Sequence, residues 1–119
     1  MEKVKILVVD DDKRWQRLLQ ETLEDEGYEV IAAENGQDAL ELFKKESPDL
    51  VTLDILLPDI DGIRILKEMK KHQPKTPVIM STAYDYRNDF SVWASEAYIV
   101  KSSDLAEMKS MIRKLLGKE

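Results

Sequence analysis

Apolar residues fall along this chain in two alternating patterns. Short runs such as Ile6-Leu7-Val8-Val9 and Leu50-Val51-Thr52-Leu53, each bounded by polar residues, have the continuous apolar character of strands buried on both faces. Between such runs, apolar residues recur at helical spacing, as do Trp15, Leu18, Leu19 and Leu23. The pattern predicts strands near Lys5–Val9, Tyr28–Ala33, Leu50–Asp54, Val78–Ser81 and Tyr98–Val100. It predicts helices near Asp12–Glu26, Gly36–Glu46, Gly62–His72, Asp89–Ser95 and Asp104–Leu116. Turn-forming residues mark the boundaries: Gly27, Asn35-Gly36, Ser47-Pro48-Asp49, Asp61-Gly62, and Pro74 and Pro77. Strands alternating with amphipathic helices are the signature of repeated βαβ units, hence an α/β fold around a parallel sheet.

The polar residues that end the strands carry the chemistry. Asp10, Asp11 and Asp12 follow the first apolar run and Asp54 follows the third. These are C-terminal strand ends, where open α/β sheets place their ligand sites. Helix capping is the competing explanation, because an aspartate after a strand often starts the next helix. It suits Asp12, but Asp10 and Asp11 cannot both cap one helix, and Asp54 leads into Ile55-Leu56-Leu57-Pro58 rather than a helical pattern. Gathered carboxylates repel one another and call for a counter-charge, which a hard divalent ion such as Mg2+ supplies while keeping several waters. Thr82 and Lys101 end the fourth and fifth strands on the same edge. An acidic metal pocket beside a hydroxyl donor and an ammonium is suited to a phosphoryl group, whose oxygens need several electrostatic partners.

With 119 residues the chain fits one domain, 1–119, with a single core. It has no cysteine, which excludes disulfides and thiolate metal sites and is compatible with a reducing compartment. No apolar stretch reaches membrane-spanning length and no signal-peptide core follows Met1, so the expectation is a soluble cytoplasmic protein with no membrane partner. The formal net charge of -6 argues against nucleic acid as a direct ligand.

In order along the chain, Ile6-Leu7-Val8-Val9-Asp10-Asp11, Pro48-Asp49-Leu50-Val51-Thr52-Leu53-Asp54, Leu57-Pro58-Asp59-Ile60-Asp61-Gly62, Ser81-Thr82-Ala83 and Lys101 resemble the receiver domain of two-component response regulators. Asp11 and Asp54 are 43 residues apart, Asp54 and Thr82 28, and Thr82 and Lys101 19, and the resemblance covers nearly the whole chain. It implies a flavodoxin-like, doubly wound sheet of five parallel strands in the order 2-1-3-4-5 with five helices, an order borrowed from chemotaxis receivers. It implies that Asp54 takes a phosphoryl group from a histidine kinase or a phosphotransfer protein. Asp11 and Asp54 would hold Mg2+ directly, Asp10 through water, and the Leu56 backbone carbonyl would add a ligand. Lys101 would pair with the bound phosphoryl and Thr82 would donate a hydrogen bond to it. Tyr98, three residues before Lys101, matches the family's switch aromatic, against the plainer reading of a strand aromatic packed on the sheet. The affected face would be that of the fourth helix, the fifth strand and the last helix, acting on a downstream protein that the sequence does not name.

Trp15 lies where the family docks its kinase, as an exposed anchor or, equally, as a core residue. Trp93 fits the core, and His72, beside Lys70, Lys71 and Gln73, reads as solvated. The chain departs from the family after Lys101, where most receivers have a cis proline. Ser102 stands here, bordering the docking surface, and a trans peptide is expected because a cis bond without proline costs about 3 kcal/mol. Ser103 or Asp104 would then cap the last helix. In receivers the side chains two positions beyond the acceptor and beyond the switch threonine set the adduct's lifetime, and here they are Leu56 and Tyr84. Two rival readings remain: a Mg2+-dependent phosphatase of the haloacid dehalogenase type, which wants an acidic residue where Leu56 stands, and an adaptor that works without phosphorylation.

Overall fold

The structure is a computed structural model that describes residues 3–83, 95–101 and 105–117. Its strands are β1 (Lys5–Val9), β2 (Glu29–Ala33), β3 (Leu50–Leu53), β4 (Val78–Thr82) and β5 (Ala97–Val100). They form one sheet in the order β2-β1-β3-β4-β5, parallel throughout, as expected. Four helices stand among the described residues: α1 (Lys13–Asp25), α2 (Gly36–Glu46), α3 (Gly62–His72) and α4 (Ala106–Leu115). The helix expected near Asp89–Ser95 lies outside the described residues except for Ser95, as do Trp93, Tyr84 and the capping candidates Ser103 and Asp104.

Alternation along each strand sends side chains to opposite faces, and both faces are covered. Leu7, Val9, Val51, Leu53, Val78 and Met80 pack with Ala39 and Phe43 of α2 and Ile65, Leu66 and Met69 of α3. Ile6, Val8, Leu50, Ile79 and Ile99 pack with Trp15, Leu19 and Leu23 of α1 and Met108 and Ile112 of α4. Phe43 is fully buried, so truncating it to Ala would cost about 3–5 kcal/mol.

Helix starts are specified locally. The Asp12 carboxylate accepts from the amides of Arg14 and Trp15, Asn35 accepts from Asp38 N, and Asp61 accepts from Ile63 N. At the end of α1, Gly27 has φ +93°, its amide donates to Glu24 O at 2.9 Å, and Tyr28 N reaches back to Leu23 O at 3.1 Å. This is a Schellman termination, with buried Tyr28 and Leu23 in the same core cluster. It explains why β2 begins at Glu29 rather than at Tyr28: the Tyr28 amide is used in ending the helix.

Candidate functional site

The ladder between strands runs one residue past several strand ends, and this fixes the site. Asp10 N donates to Ala33 O at 3.0 Å, Asp54 N to Val9 O at 3.0 Å, and Lys101 N to Thr82 O at 2.7 Å. Each of these residues therefore has its backbone clamped by the neighbouring strand while its side chain projects beyond the sheet. The Gln16 amide adds a second clamp, donating to Asp10 O at 3.1 Å and to Ala33 O at 3.2 Å.

Carboxylate oxygens of Asp10, Asp11 and Asp54 lie within 4.8 Å of one another, with Asp10 and Asp54 buried and Asp11 exposed. The Lys101 ammonium sits among them, 2.6 Å from Asp10 Oδ2 and 3.1 Å from Asp54 Oδ2. Asp10 Oδ1 accepts from Asp12 N at 2.9 Å, and Asp54 Oδ1 accepts from Leu56 N at 3.3 Å. Burial pushes the Asp10 carboxyl up to about 6, although the hydrogen bond from Lys101 and that from the Asp12 amide pull it down. For Lys101 burial favours the neutral amine, but the hydrogen bond and charge of Asp10, then those of Asp54, outweigh it and hold the pKa above its ordinary value. Among the described residues, three carboxylates face one ammonium, which leaves the cluster short of positive charge. That deficit, with all-oxygen donors, fits a hard divalent cation such as Mg2+.

Thr82 is buried at the end of β4. Tyr98, opposite Met80 in the β4–β5 register, is partly buried against the core cluster of α2 and α3. Leu56 is 48% exposed on the loop after β3, beside the Asp54 carboxylate that its amide contacts. Ser102 and the Lys101–Ser102 peptide lie outside the described residues.

Of the two readings of Trp15, exposed docking anchor and core residue, the structure has the core one. Its ring is buried with Leu19 and Leu23, and its centroid stands 5.7 Å from Lys101 Nζ, a cation–π distance. The four-residue spacing of Trp15, Leu19 and Leu23 puts these three on the buried stripe and turns Leu18 outward. Leu18 is 43% exposed, in a groove with Lys13, Arg14, Arg17 and Glu21. His72 is exposed, its ring edge-on to Phe43 at 6.2 Å.

Sequence reasoning passed over Gln16 and quoted Asp59 only within a motif, with no role of its own. The Asp59 carboxylate accepts from Gly36 N at 2.7 Å and Gln37 N at 2.9 Å, an attachment to α2 that no local spacing signals.

Residues 6–113 match the response regulator receiver domain. The chain belongs to this family. It is 39% identical over 115 residues to sporulation initiation phosphotransferase F of Bacillus subtilis, covering 94% of this chain and 93% of that protein. It is 44% identical to the response regulator TrrA of Thermotoga maritima, solved in complex with Mg2+ and beryllium fluoride, at a TM-score of 0.91 over 96% of this chain and 99% of that one. TrrA in complex with the histidine kinase ThkA superposes at a TM-score of 0.90, with 45% identity over 97% of this chain and 99% of that one. Other curated relatives, several of them transcriptional regulators, are longer: the chain spans from 25% to 49% of their length. As a receiver domain the chain is a signalling regulator. No helix among the described residues is long and apolar enough to cross a membrane.

Proposed function

We propose that this receiver is a phosphorylation-activated switch in which Asp54 is the acceptor, loaded by the phosphohistidine of a histidine kinase or phosphotransfer protein. The observation that carries the reading is the position of the Lys101 ammonium, in contact with Asp54 Oδ2 at 3.1 Å inside a three-carboxylate cluster. The partner class is supported by the likeness to a response regulator solved with its kinase. Asp11, Asp54 and the Leu56 carbonyl would hold Mg2+ directly, with Asp10 through water. When bound, the ion supplies positive charge opposite the phosphoryl oxygens.

In the transfer, one Asp54 oxygen attacks phosphorus as the phosphorus–nitrogen bond to the donor imidazole breaks, and the bonding pair leaves with that nitrogen. The backbone clamp on Asp54 fixes the direction of attack. Lys101, released from its ion pair with Asp54 as that carboxylate becomes an acyl phosphate, follows the charge onto a phosphoryl oxygen. Thr82 donates its hydroxyl to another oxygen, and Tyr98 leaves its packed position for an inward one. The phosphoryl group thus adds contacts available only in the inward arrangement and shifts the population of the face formed by the fourth predicted helix, β5 and α4. Its partner is a downstream protein, and the setting is the cytoplasm.

The test is incubation with Mg2+ and acetyl phosphate or phosphoramidate, followed by intact mass. A single stable phosphoryl adduct that disappears in Asp54→Asn, with circular dichroism unchanged, is the expected result. Steady phosphate release with turnover would instead make the protein a phosphatase, and an unchanged mass would make it an adaptor. Uptake by Asp54→Asn at the parental rate would remove Asp54 from the acceptor role.

A further inference from the structure

Between β3 and α3 the chain runs through residues 55–61, and this loop is fastened at both ends. At its base Gly62 N donates to Ile55 O at 2.8 Å. At its tip the Asp59 carboxylate reaches across to the start of α2. Oδ1 accepts from Gly36 N at 2.7 Å and from the loop's own Ile60 N at 2.9 Å, and Oδ2 accepts from Gln37 N at 2.9 Å. Asn35 already caps this helix, taking Asp38 N at 2.8 Å, so the two side chains divide the first three free amides of α2 between them. A carboxylate is the suitable second cap, because the N-terminal end of a helix carries partial positive charge. The Gly36 and Gln37 amides accordingly hold the Asp59 carboxyl below its ordinary value.

The approach is built for contact. A Cβ on Gly36 would overlap Ile65 Cδ1, the movable end of a side chain on α3, and lie 3.0 Å from Ile60 Cβ and 3.2 Å from Asp59 Oδ1, so any larger residue would make the loop give by a few tenths of an ångström. Asp59 is exposed and lies outside the carboxylate cluster, so nothing in the phosphoryl chemistry accounts for this attachment. What it does fix is the path of Leu56-Leu57-Pro58, the three residues between Ile55 at the base of the loop and the tie.

We propose that Asp59 is a positioning residue for the metal centre: by fastening the tip of the loop to α2, it holds the Leu56 carbonyl where it serves as a ligand. This rests on the reading of the cluster as a Mg2+ site. A carbonyl on a loop free at its tip would have to be ordered when the ion binds, and the cost of that ordering would be subtracted from the affinity. Asp59 touches neither the ion nor the phosphoryl group and acts through the loop alone.

The experiment is calorimetric titration with Mg2+ of the parent, Asp59→Ala, Asp59→Asn and, as a control on the same helix end, Asn35→Ala, all at a temperature where each is folded by circular dichroism. Asp59→Ala should weaken Mg2+ binding about tenfold, the lower end of the range for outer groups that orient metal ligands. Asp59→Asn keeps one acceptor oxygen and should recover part of the loss. Asn35→Ala should lower the melting temperature while leaving Mg2+ affinity within about twofold of the parent, because it weakens the helix cap but not the tie. Equal affinity in the parent and Asp59→Ala would overturn the inference, and so would an equal loss in Asn35→Ala, which would trace the effect to fraying of α2. A parent that binds no Mg2+ would overturn the metal reading itself, a result distinguishable because it appears before any substitution.

Discussion

Gly62, the first residue of α3, offers the sharpest test of how Asp54, the proposed acceptor, is held in place. A Cβ at this position would overlap the carbonyl oxygen of Asp54 and lie 2.6 Å from Ile55 Cα and 2.9 Å from Ile55 O. All three are backbone atoms, so no side chain can rotate away. Restoring ordinary contact requires the start of α3 and the Asp54–Ile55 backbone to separate by about 1 Å, which also strains the Gly62 N to Ile55 O hydrogen bond. Overpacking of this kind costs about 1–3 kcal/mol. The functional cost should be larger in proportion, since a misplacement of about 1 Å can lower a rate about 10²-fold. Gly62→Ala should therefore fold, melt several degrees lower, and take up phosphoryl from acetyl phosphate at saturating Mg2+ about two orders of magnitude more slowly. Gly27→Ala is the control: its φ of +93° strains any other residue, but nothing lies within 4 Å of the added Cβ. That variant should lose about 1 kcal/mol and keep its phosphorylation rate. If Gly62→Ala and Gly27→Ala lose stability alike and both phosphorylate at the parental rate, close packing at Gly62 does not position the acceptor.

Mg2+ should raise the parental melting temperature, because it binds a cluster that the unfolded chain lacks, and Asp11→Ala should remove most of that rise; an undiminished rise would take Asp11 out of the ligand set. The Asp59 carboxyl is depressed on folding, so its contribution is present above the ordinary carboxylate range and is lost as pH falls through the lower folded value. Urea melts of the parent and Asp59→Asn should accordingly differ by a constant amount between pH 5 and 7 and converge below about pH 4; a gap that widens on acidification would contradict the sign. Leu56 has no group to orient a water in line with the phosphoryl and stands half-exposed beside Asp54, so the adduct should hydrolyse slowly, and Leu56→Asn should speed its loss. Water positioning can be worth about 10²-fold, so even a partial effect is visible by mass spectrometry, and an unchanged or slower loss would refute the shielding.

The sheet was readable because its physics is local in sequence. A strand buried on both faces has to be apolar at every position, and Ile6–Val9 and Leu50–Leu53 are nearly so. Strand order was not readable from those runs and came with the resemblance. The misplaced start of β2 has a definite cause, since Tyr28 is as apolar as a strand residue but its amide is already engaged with Leu23 O. Trp15 and Leu18 show a different limit. Both fit a helical apolar pattern, and only the direction of the Trp15–Leu19–Leu23 stripe decides which of them meets the core and which meets solvent. Asp59 lay beyond reach because its partners, Gly36 and Gln37, are more than twenty residues away and meet it only after α2 and α3 have packed side by side.

The site residues were legible for the opposite reason: they violate the pattern that the rest of the chain obeys. A sequence shaped only by packing would have ended β1 and β3 with neutral or capping residues. Here Asp10 and Asp54 are buried at the strand ends against the Lys101 ammonium, and the Asp10 carboxyl is driven up to about 6 by that burial. Buried carboxylates short of positive charge reduce the stability of the fold, and they persist where function requires them. The ladder bonds to Ala33, Val9 and Thr82 make the arrangement tolerable, because they fix the Asp10, Asp54 and Lys101 backbones independently of what the side chains do. Charge can therefore be added to the cluster or removed from it without the sheet giving way, which is the property a reversible phosphoryl switch requires.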